Sequence, residues 1–347
     1  ESVEPEYLFG EYLWVTGTSS TAEKYSHYFA KNALLRCDNK EPSVIEIASN
    51  DGTFLKRFLD TGCEVLGIDP AKNIADVAST EGIPTLAQFF TAELAQNLAD
   101  KNGCKDIVFA RNVIPHVKAI HSVIEGIKIL LDDNGVGIIE FHDAGLILDE
   151  LHYDSIYHEH LFLFSLKTIS RLLEIHDLYV FDVLPSPISG GSWVIYFSRK
   201  LKLKSEALKN AEQHEVKTGI NTLDRWLTFA DEARIHAEDL KGIISETGTK
   251  MVAYGASARS STLLNFCQIS HDQISVIIDK NPLKHNLITP GSNIPIISFK
   301  EGLQHIQVAE EILLLAWNFQ EEIVKDLRAS GFKGKFIVPL PNKVCVI

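Results

Sequence analysis

Apolar and polar positions follow a regular rhythm through the first third of the chain. Short apolar runs end in polar turns and lead into stretches with helical spacing. PSVIEIAS is one such run, followed by the helix-like TFLKRFLDTG; EVLGIDP comes next, ending on an acid, with a helix from Lys72 to Thr80 after it. CKDIVFARNVI is a further strand, then a helix through GIKILLDDN, then GVGIIEFHD. Strands alternating with helices of this length predict a doubly wound parallel sheet. From Ser165 to Arg199 the helix SLKTISRLLEIHDL precedes two β-like runs, LYVFDVLP and GSWVIYFS, which would complete the same sheet as an antiparallel hairpin.

Residues 200–247 change character: charged, almost free of glycine and helix-periodic, they predict one or two bridging helices. The α/β rhythm then restarts with KMVAYGASARSSTLLNFC, ISVIIDKNP, IPIIS, EEILLLAWNF and KFIVPLP. The expected organisation is a first α/β domain over 1–199, a helical linker over 200–247 and a smaller α/β domain over 248–347.

Composition narrows the class. With 347 residues two domains are the natural expectation, and 45% hydrophobic with 23% charged residues is an ordinary globular balance. A net charge of −13 argues against nucleic acid or an anionic membrane as the main partner, while a small anionic substrate needs only a local positive patch. The longest apolar runs fall well short of about 18 residues, so no membrane span is expected. The chain opens on Glu1 without a signal-peptide pattern. Five scattered cysteines with no C-x-x-C pair fit a reducing cytoplasm and argue against a cysteine zinc site.

EIASNDGTFLKRF lies where such a sheet binds ligands, at the carboxyl end of its first strand. A nicotinamide loop would want G-x-G-x-x-G, yet only Gly52 is present, with Glu46, Asn50 and Asp51 around it. An acidic, hydrogen-bonding loop suits a cationic ligand without phosphate, and S-adenosylmethionine is one. Asp69, 23 residues after Glu46, stands where a carboxylate accepts from ribose hydroxyls. The competing reading makes Asp51 and Asp69 helix caps.

YDSIYHEHLFLFS, residues 153–165, gathers two histidines, a glutamate and two tyrosines. The spacing is not the H-E-x-x-H of a zinc helix, and no G-x-S-x-G elbow is present, so neither a metal nor a nucleophilic serine is expected. If the segment is extended, Tyr157 and Glu159 share one face and His158 and His160 the other; a turn would break that grouping. VAYGASARSSTLL reads as strand, tight turn and helix. Its small residues would let backbone N–H groups face an anion, Arg259 would add positive charge, and Asp279 could accept from a ribose or sugar hydroxyl. On fold logic a nicotinamide could sit there, which would make the protein an oxidoreductase acting on a sugar nucleotide. Alternatively, the small residues merely let the helix pack on the strand.

With EIASNDGTFL, ARNVIPHV, YHEHLFLFS, ISGGSWVIY, YGASARSSTLLN and LAWNF in this order, the chain resembles a known family. These are the S-adenosylmethionine-dependent sugar C-methyltransferases of deoxy-sugar biosynthesis, which act on nucleotide-linked 4-keto sugars. The resemblance implies a Rossmann-like methyltransferase domain, a helical bridge and a second Rossmann-like domain. It begins after the small cysteine-rich zinc domain with which members usually open, and Ser189 stands where members often have a histidine. The donor would be held by Glu46, Ala48, Asn50, Asp51, Gly52, Asp69, Pro70 and Asn112. Methylating a sugar carbon needs a ketone next to the C–H and a base near neutral pKa, with a donor for the enolate oxygen. The resemblance makes His160 the base and Tyr157 an alternative proton acceptor or enolate donor. Glu159 would orient it or touch the sugar, His116 would add a polar contact, and Tyr12 would close over the site. The second domain would hold the substrate's nucleotide through Gly255, Ala256, Ser257, Arg259, Asp279 and Asn318.

Overall fold

The computed structural model describes residues 3–11, 15–246 and 250–347. It contains two sheets. The first has strands β1 (Ser43–Ile47), β2 (Glu64–Ile68), β3 (Thr85–Leu86), β4 (Lys105–Arg111), β5 (Leu131–Phe141), β6 (Tyr179–Ser186) and β7 (Ser192–Ser198). Their order is β3-β2-β1-β4-β5-β7-β6. The first five pair in parallel, and the β6–β7 hairpin closes the sheet antiparallel, as its alternating runs predict. The central strands carry long apolar runs because helices cover both faces: Ile107 to Ala110, Ile138 and Ile139 are fully buried.

The second sheet has β8 (Met251–Tyr254), β9 (Ile274–Ile278), β10 (Ile296–Ile297), β11 (Glu311–Leu314), β12 (Lys335–Val338) and β13 (Cys345–Val346). They lie in the order β10-β9-β8-β11-β12-β13, parallel except for β13. Both sheets therefore reverse direction beside their first strand, between β1 and β4 and between β8 and β11. That switch point opens a crevice at the carboxyl ends of the strands.

The chain packs as two compact units, Glu1–Ala144 with His158–Thr218, and Gly145–Tyr157 with Gly219–Ile347. The units do not part at 199 and 247, where the sequence pattern expects. The charged segment forms two helices, Glu206–Thr218 and Leu223–Glu246, broken at Gly219 with φ +69°. Each helix joins a different unit. Buried Glu215 of the first accepts hydrogen bonds from the backbone N–H groups of Leu166 and Lys167, capping a helix of the first unit with a carboxylate. The second buries Phe229, Ala233, Ala237, Leu240 and Ile244, and Arg225 donates to the Leu148 carbonyl at 2.7 Å. No helix among the described residues is long and apolar enough to cross a membrane.

Candidate active site

The loop after β1 holds its backbone in an unusual state. Ala48, Asn50 and Gly52, every second residue, have φ of +55°, +52° and +76°. Left-handed conformation is natural for glycine and costs an alanine about 1–2 kcal/mol. A loop with a single glycine thus turns as a glycine-rich one does, which its composition does not reveal. Strain of this kind collects at functional sites.

Asp69, buried after β2, ties the loop down: its carboxylate accepts from Asn50 N at 2.8 Å and Ala71 N at 2.9 Å. Burial pushes its pKa up, and the two backbone bonds oppose that. Pro70 follows at the bend, half-buried. Asp51 accepts from Gly17 N at 2.8 Å, from Thr53 Oγ1 at 2.7 Å and from Thr53 N at 3.2 Å, so it ties the first residue of the helix Thr53–Leu59 to the Thr16–Thr18 turn. The N-cap of that helix is Gly52, with no side-chain cap bond, so Asp51 is not its cap. Asn50 accepts from Thr16 N at 2.8 Å. A side chain at Gly17 would meet the Asp51 carboxylate at 2.7 Å.

Beneath the loop lies a buried ionic cluster that sequence reasoning also missed. Arg111, ending β4, donates to Glu140 at 2.7 Å and lies 4.0 Å from Glu46, its guanidinium stacked 3.1 Å over the Phe54 ring. Ser186 hydrogen-bonds the other oxygen of Glu140. The available signal was two charged residues, in VFAR and GIIEF, inside apolar strands. Asn112 sits at φ +50° with its N–H on the Glu140 carbonyl at 2.8 Å. Two carboxylates share one arginine, so Glu46 is left under-compensated: burial drives its pKa well up, and Arg111 only partly offsets that. Glu46 Oε2 and Ser49 Oγ are buried without a hydrogen-bond partner among the described residues. An orphaned carboxylate oxygen fits a ligand bringing positive charge and N–H groups, as S-adenosylmethionine does.

The Tyr157–His160 segment is a bend and turn, not a strand. The expected pairing of Tyr157 with Glu159 and His158 with His160 on opposite faces therefore fails. What organises it is Pro115, whose carbonyl accepts from Leu161 N at 2.9 Å and Phe162 N at 3.2 Å. That bond pair brings His160 beside His116, their rings edge to face at 4.8 Å, with Phe9 a further 5.9 Å from His116. Burial, then the neighbouring His160, holds the His116 pKa down at about 3. Its Nδ1 is buried and has no hydrogen-bond partner among the described residues. Glu159 is half-buried, which raises its carboxyl, while His158 opposes the shift. A shallow cleft lined by Leu8, Phe9, His116, His158 and Glu159 opens at this point. Tyr12 lies outside the described residues. No group of three histidine, cysteine, aspartate or glutamate side chains that could hold a metal ion occurs among the described residues.

The loop after β8 differs from its expectation. Gly255, at φ +96°, donates to the Ile278 carbonyl; a Cβ there would meet Ala316 at 2.4 Å. Ala256 N–H is spent on Asp279 at 2.7 Å, and Ser257 N–H on Ser260 at 3.2 Å. Lys284 donates to the Ala256 carbonyl at 2.7 Å and stands 3.5 Å from Asp279. The charge of Arg259 is met by buried Asp154, and Asn318 is half-buried in the Trp317–Phe319 turn. The Ala256 and Ser257 N–H groups and the Arg259 guanidinium expected to face an anion are thus engaged within the unit.

A doubly wound sheet whose switch point carries a buried, under-compensated carboxylate suits a protein that binds a cationic ligand. A family profile described as a methyltransferase domain matches residues 21–183, and one described as a C-methyltransferase C-terminal domain matches 187–341. The C-methyltransferase NovU of Streptomyces niveus is 33% identical over 360 residues, covering 98% of this chain and 82% of that protein. Among solved structures, the PH0226 protein of Pyrococcus horikoshii OT3 is 18% identical with a TM-score of 0.43, over 57% of this chain and 97% of its own. Magnesium protoporphyrin IX methyltransferase of Synechocystis PCC 6803, with bound SAM, is 13% identical with a TM-score of 0.39, over 51% and 79%. The chain belongs to the C-methyltransferase family. Its methyl donor is S-adenosylmethionine.

Proposed function

We propose that this C-methyltransferase places a methyl group on C3 of a nucleotide-linked 4-keto-6-deoxy hexose by way of an enolate. A sugar carbon becomes a nucleophile only when a neighbouring ketone makes its proton removable. S-adenosylmethionine, when bound, supplies an electrophilic methyl group on a positively charged sulfur. Glu46, Asp69 and Asn112, with the backbone of Ala48 to Gly52, hold that donor in the β1–β4 crevice.

On this reading His160 removes the C3 proton with a ring nitrogen. Tyr157 offers an O–H to the oxygen at C4 as it gains charge, and His116 packs against the base. Glu159 orients the base. The observation that carries the proposal is the edge-to-face packing of His116 on His160 at 4.8 Å. A neutral His116, its pKa held at about 3, lets its neighbour take up a proton without meeting a like charge.

The test is proton exchange. In deuterated water, His160→Asn should abolish deuterium incorporation at C3 of a nucleotide-linked 4-keto-6-deoxy hexose while leaving S-adenosylmethionine affinity intact. Exchange that persists in this variant removes His160 as the base.

A further inference from the structure

The buried charges beneath the loop after β1 do not balance. Glu46 of β1 and Glu140 of β5 are 2% and 0% exposed, and both face Arg111 at the end of β4. The arginine is not shared evenly. Glu140 accepts from Arg111 Nε at 2.7 Å on one oxygen and from Ser186 Oγ on the other, and two such donors favour the ionised form. Glu46 Oε1 stands 4.0 Å from Arg111 Nη1, at the limit of an ion pair, and Glu46 Oε2 is buried with no hydrogen-bond partner among the described residues. The other groups around Glu46 disfavour an anion further: Asp51, on the loop after β1, and Asp69, after β2, both turn negative charge toward it. Tyr25, from the helix Ser20–Leu34, lies near Glu140 and Arg111, and burial keeps its phenol neutral.

A carboxylate buried without donors is costly, and such a group takes up a proton instead. With Glu46 neutral, Arg111 and Glu140 form a matched pair. A ligand that arrives with positive charge reverses the balance, because the ionised form then gains a partner. We infer that Glu46 carries a proton in the free enzyme and loses it to solvent when the cationic methyl donor binds, the Arg111–Glu140 pair setting that exchange. The O–H bond of the acid breaks, the proton passes to water, and the electron pair stays on the carboxylate facing the donor. Arg111 and Glu140 are thereby positioning residues that act on the donor through Glu46. The inference rests on the reading of Glu46 as a donor contact.

Isothermal titration of the full chain with S-adenosylmethionine, in buffers of different ionisation enthalpy, counts the protons released. Between about pH 5 and pH 7 the wild type should release close to one proton per donor bound, and Kd should fall by up to about tenfold per pH unit. Above that range the donor's own amino group begins to titrate. Glu46→Gln mimics the protonated acid, so it should release none and bind with a Kd that barely changes with pH. Glu140→Gln leaves Arg111 undivided for Glu46, which is then ionised before the donor arrives; release at about pH 6 should drop by about half or more, and the slope should flatten. S-adenosylhomocysteine, which lacks the sulfonium, locates the charge that Glu46 meets. Release retained assigns the amino group and release lost assigns the sulfonium, and either supports the proton's departure. A wild type that binds the donor without releasing a proton overturns the inference. So does release that persists in Glu46→Gln, which gives the proton to another group such as Asp69. A Glu140→Gln chain that matches the wild type overturns the part given to the pair, and this comparison stands even if Glu46→Gln fails to fold. Donor affinity unchanged by Glu46→Gln across the whole range takes Glu46 out of the donor site and removes the underlying reading itself.

Discussion

His116 shows how much one side chain's surroundings decide. Its ring packs against His160 and Phe9, and burial keeps it neutral down to a pKa of about 3, against 6.5 for the free group. Such a group binds its proton less tightly when folded than when unfolded. The stability it contributes is fully present above about pH 6.5 and is lost as the pH falls from there toward 3, because the unfolded chain gains a proton that the folded chain refuses. His116→Asn should therefore flatten the acid limb of stability. Between pH 7 and pH 4 the urea midpoint of the wild type should drop further than that of the variant, measured by fluorescence. Parallel curves would mean that His116 titrates normally in the folded state. The histidines themselves were legible in the sequence as candidate chemistry. Their pairing was not, since it depends on the Pro115 carbonyl receiving the chain at Leu161 and Phe162, a long-range contact that no local pattern encodes.

At the scale of elements, strands and helices were readable because a doubly wound sheet writes them as apolar runs and 3.6-residue periods. Loop conformation was less so. In EIASNDG the letters suggested a loop with one permissive residue, whereas the backbone takes left-handed φ at positions 48, 50 and 52. Asn tolerates that region and Gly prefers it, but Ala48 does not. This asymmetry makes a paired prediction. Gly52→Ala puts a Cβ 2.9 Å from Ile83 at φ +76°, and should cost about 1–3 kcal/mol, in the range of backbone-strain substitutions. Ala48→Gly relieves strain at φ +55° and should be neutral or stabilising, by up to about 1 kcal/mol. Urea unfolding of both variants checks the signs. If the two changes are equally damaging, the loop is not held in this conformation. The turn at 157–160 carries the same lesson, because alternation of residue types does not reveal whether a short segment is extended.

For the whole molecule, helical periodicity announced the helices between residues 200 and 247 without saying which core each would join. That choice is made by single side chains such as Glu215 and Arg225. The two units also share a device. Asp69 after β2 accepts from Asn50 N and Ala71 N, and Asp279 after β9 accepts from Ala256 N and Asn281 N, each tying the neighbouring strand's loop to its own. Their electrostatics diverge from that common plan. Beside Asp69 stands Glu46, with an unmatched carboxylate oxygen; beside Asp279 the unit's own Lys284 supplies the cation and a hydrogen bond to Ala256 O. The first loop is thus left needing a positive ligand, while the second already contains its counter-charge and has spent the Ala256 and Ser257 N–H groups that a pyrophosphate would require. A ligand that binds only the folded chain stabilises it by about 2.7 kcal/mol at a hundred times its Kd, so thermal unfolding separates the two loops' capacities. S-adenosylmethionine should raise Tm in a concentration-dependent way, and NADH at the same concentrations should leave it unchanged. A rise with NADH that Lys284→Ala enlarges would restore the nicotinamide site at Gly255–Arg259 and the oxidoreductase reading with it.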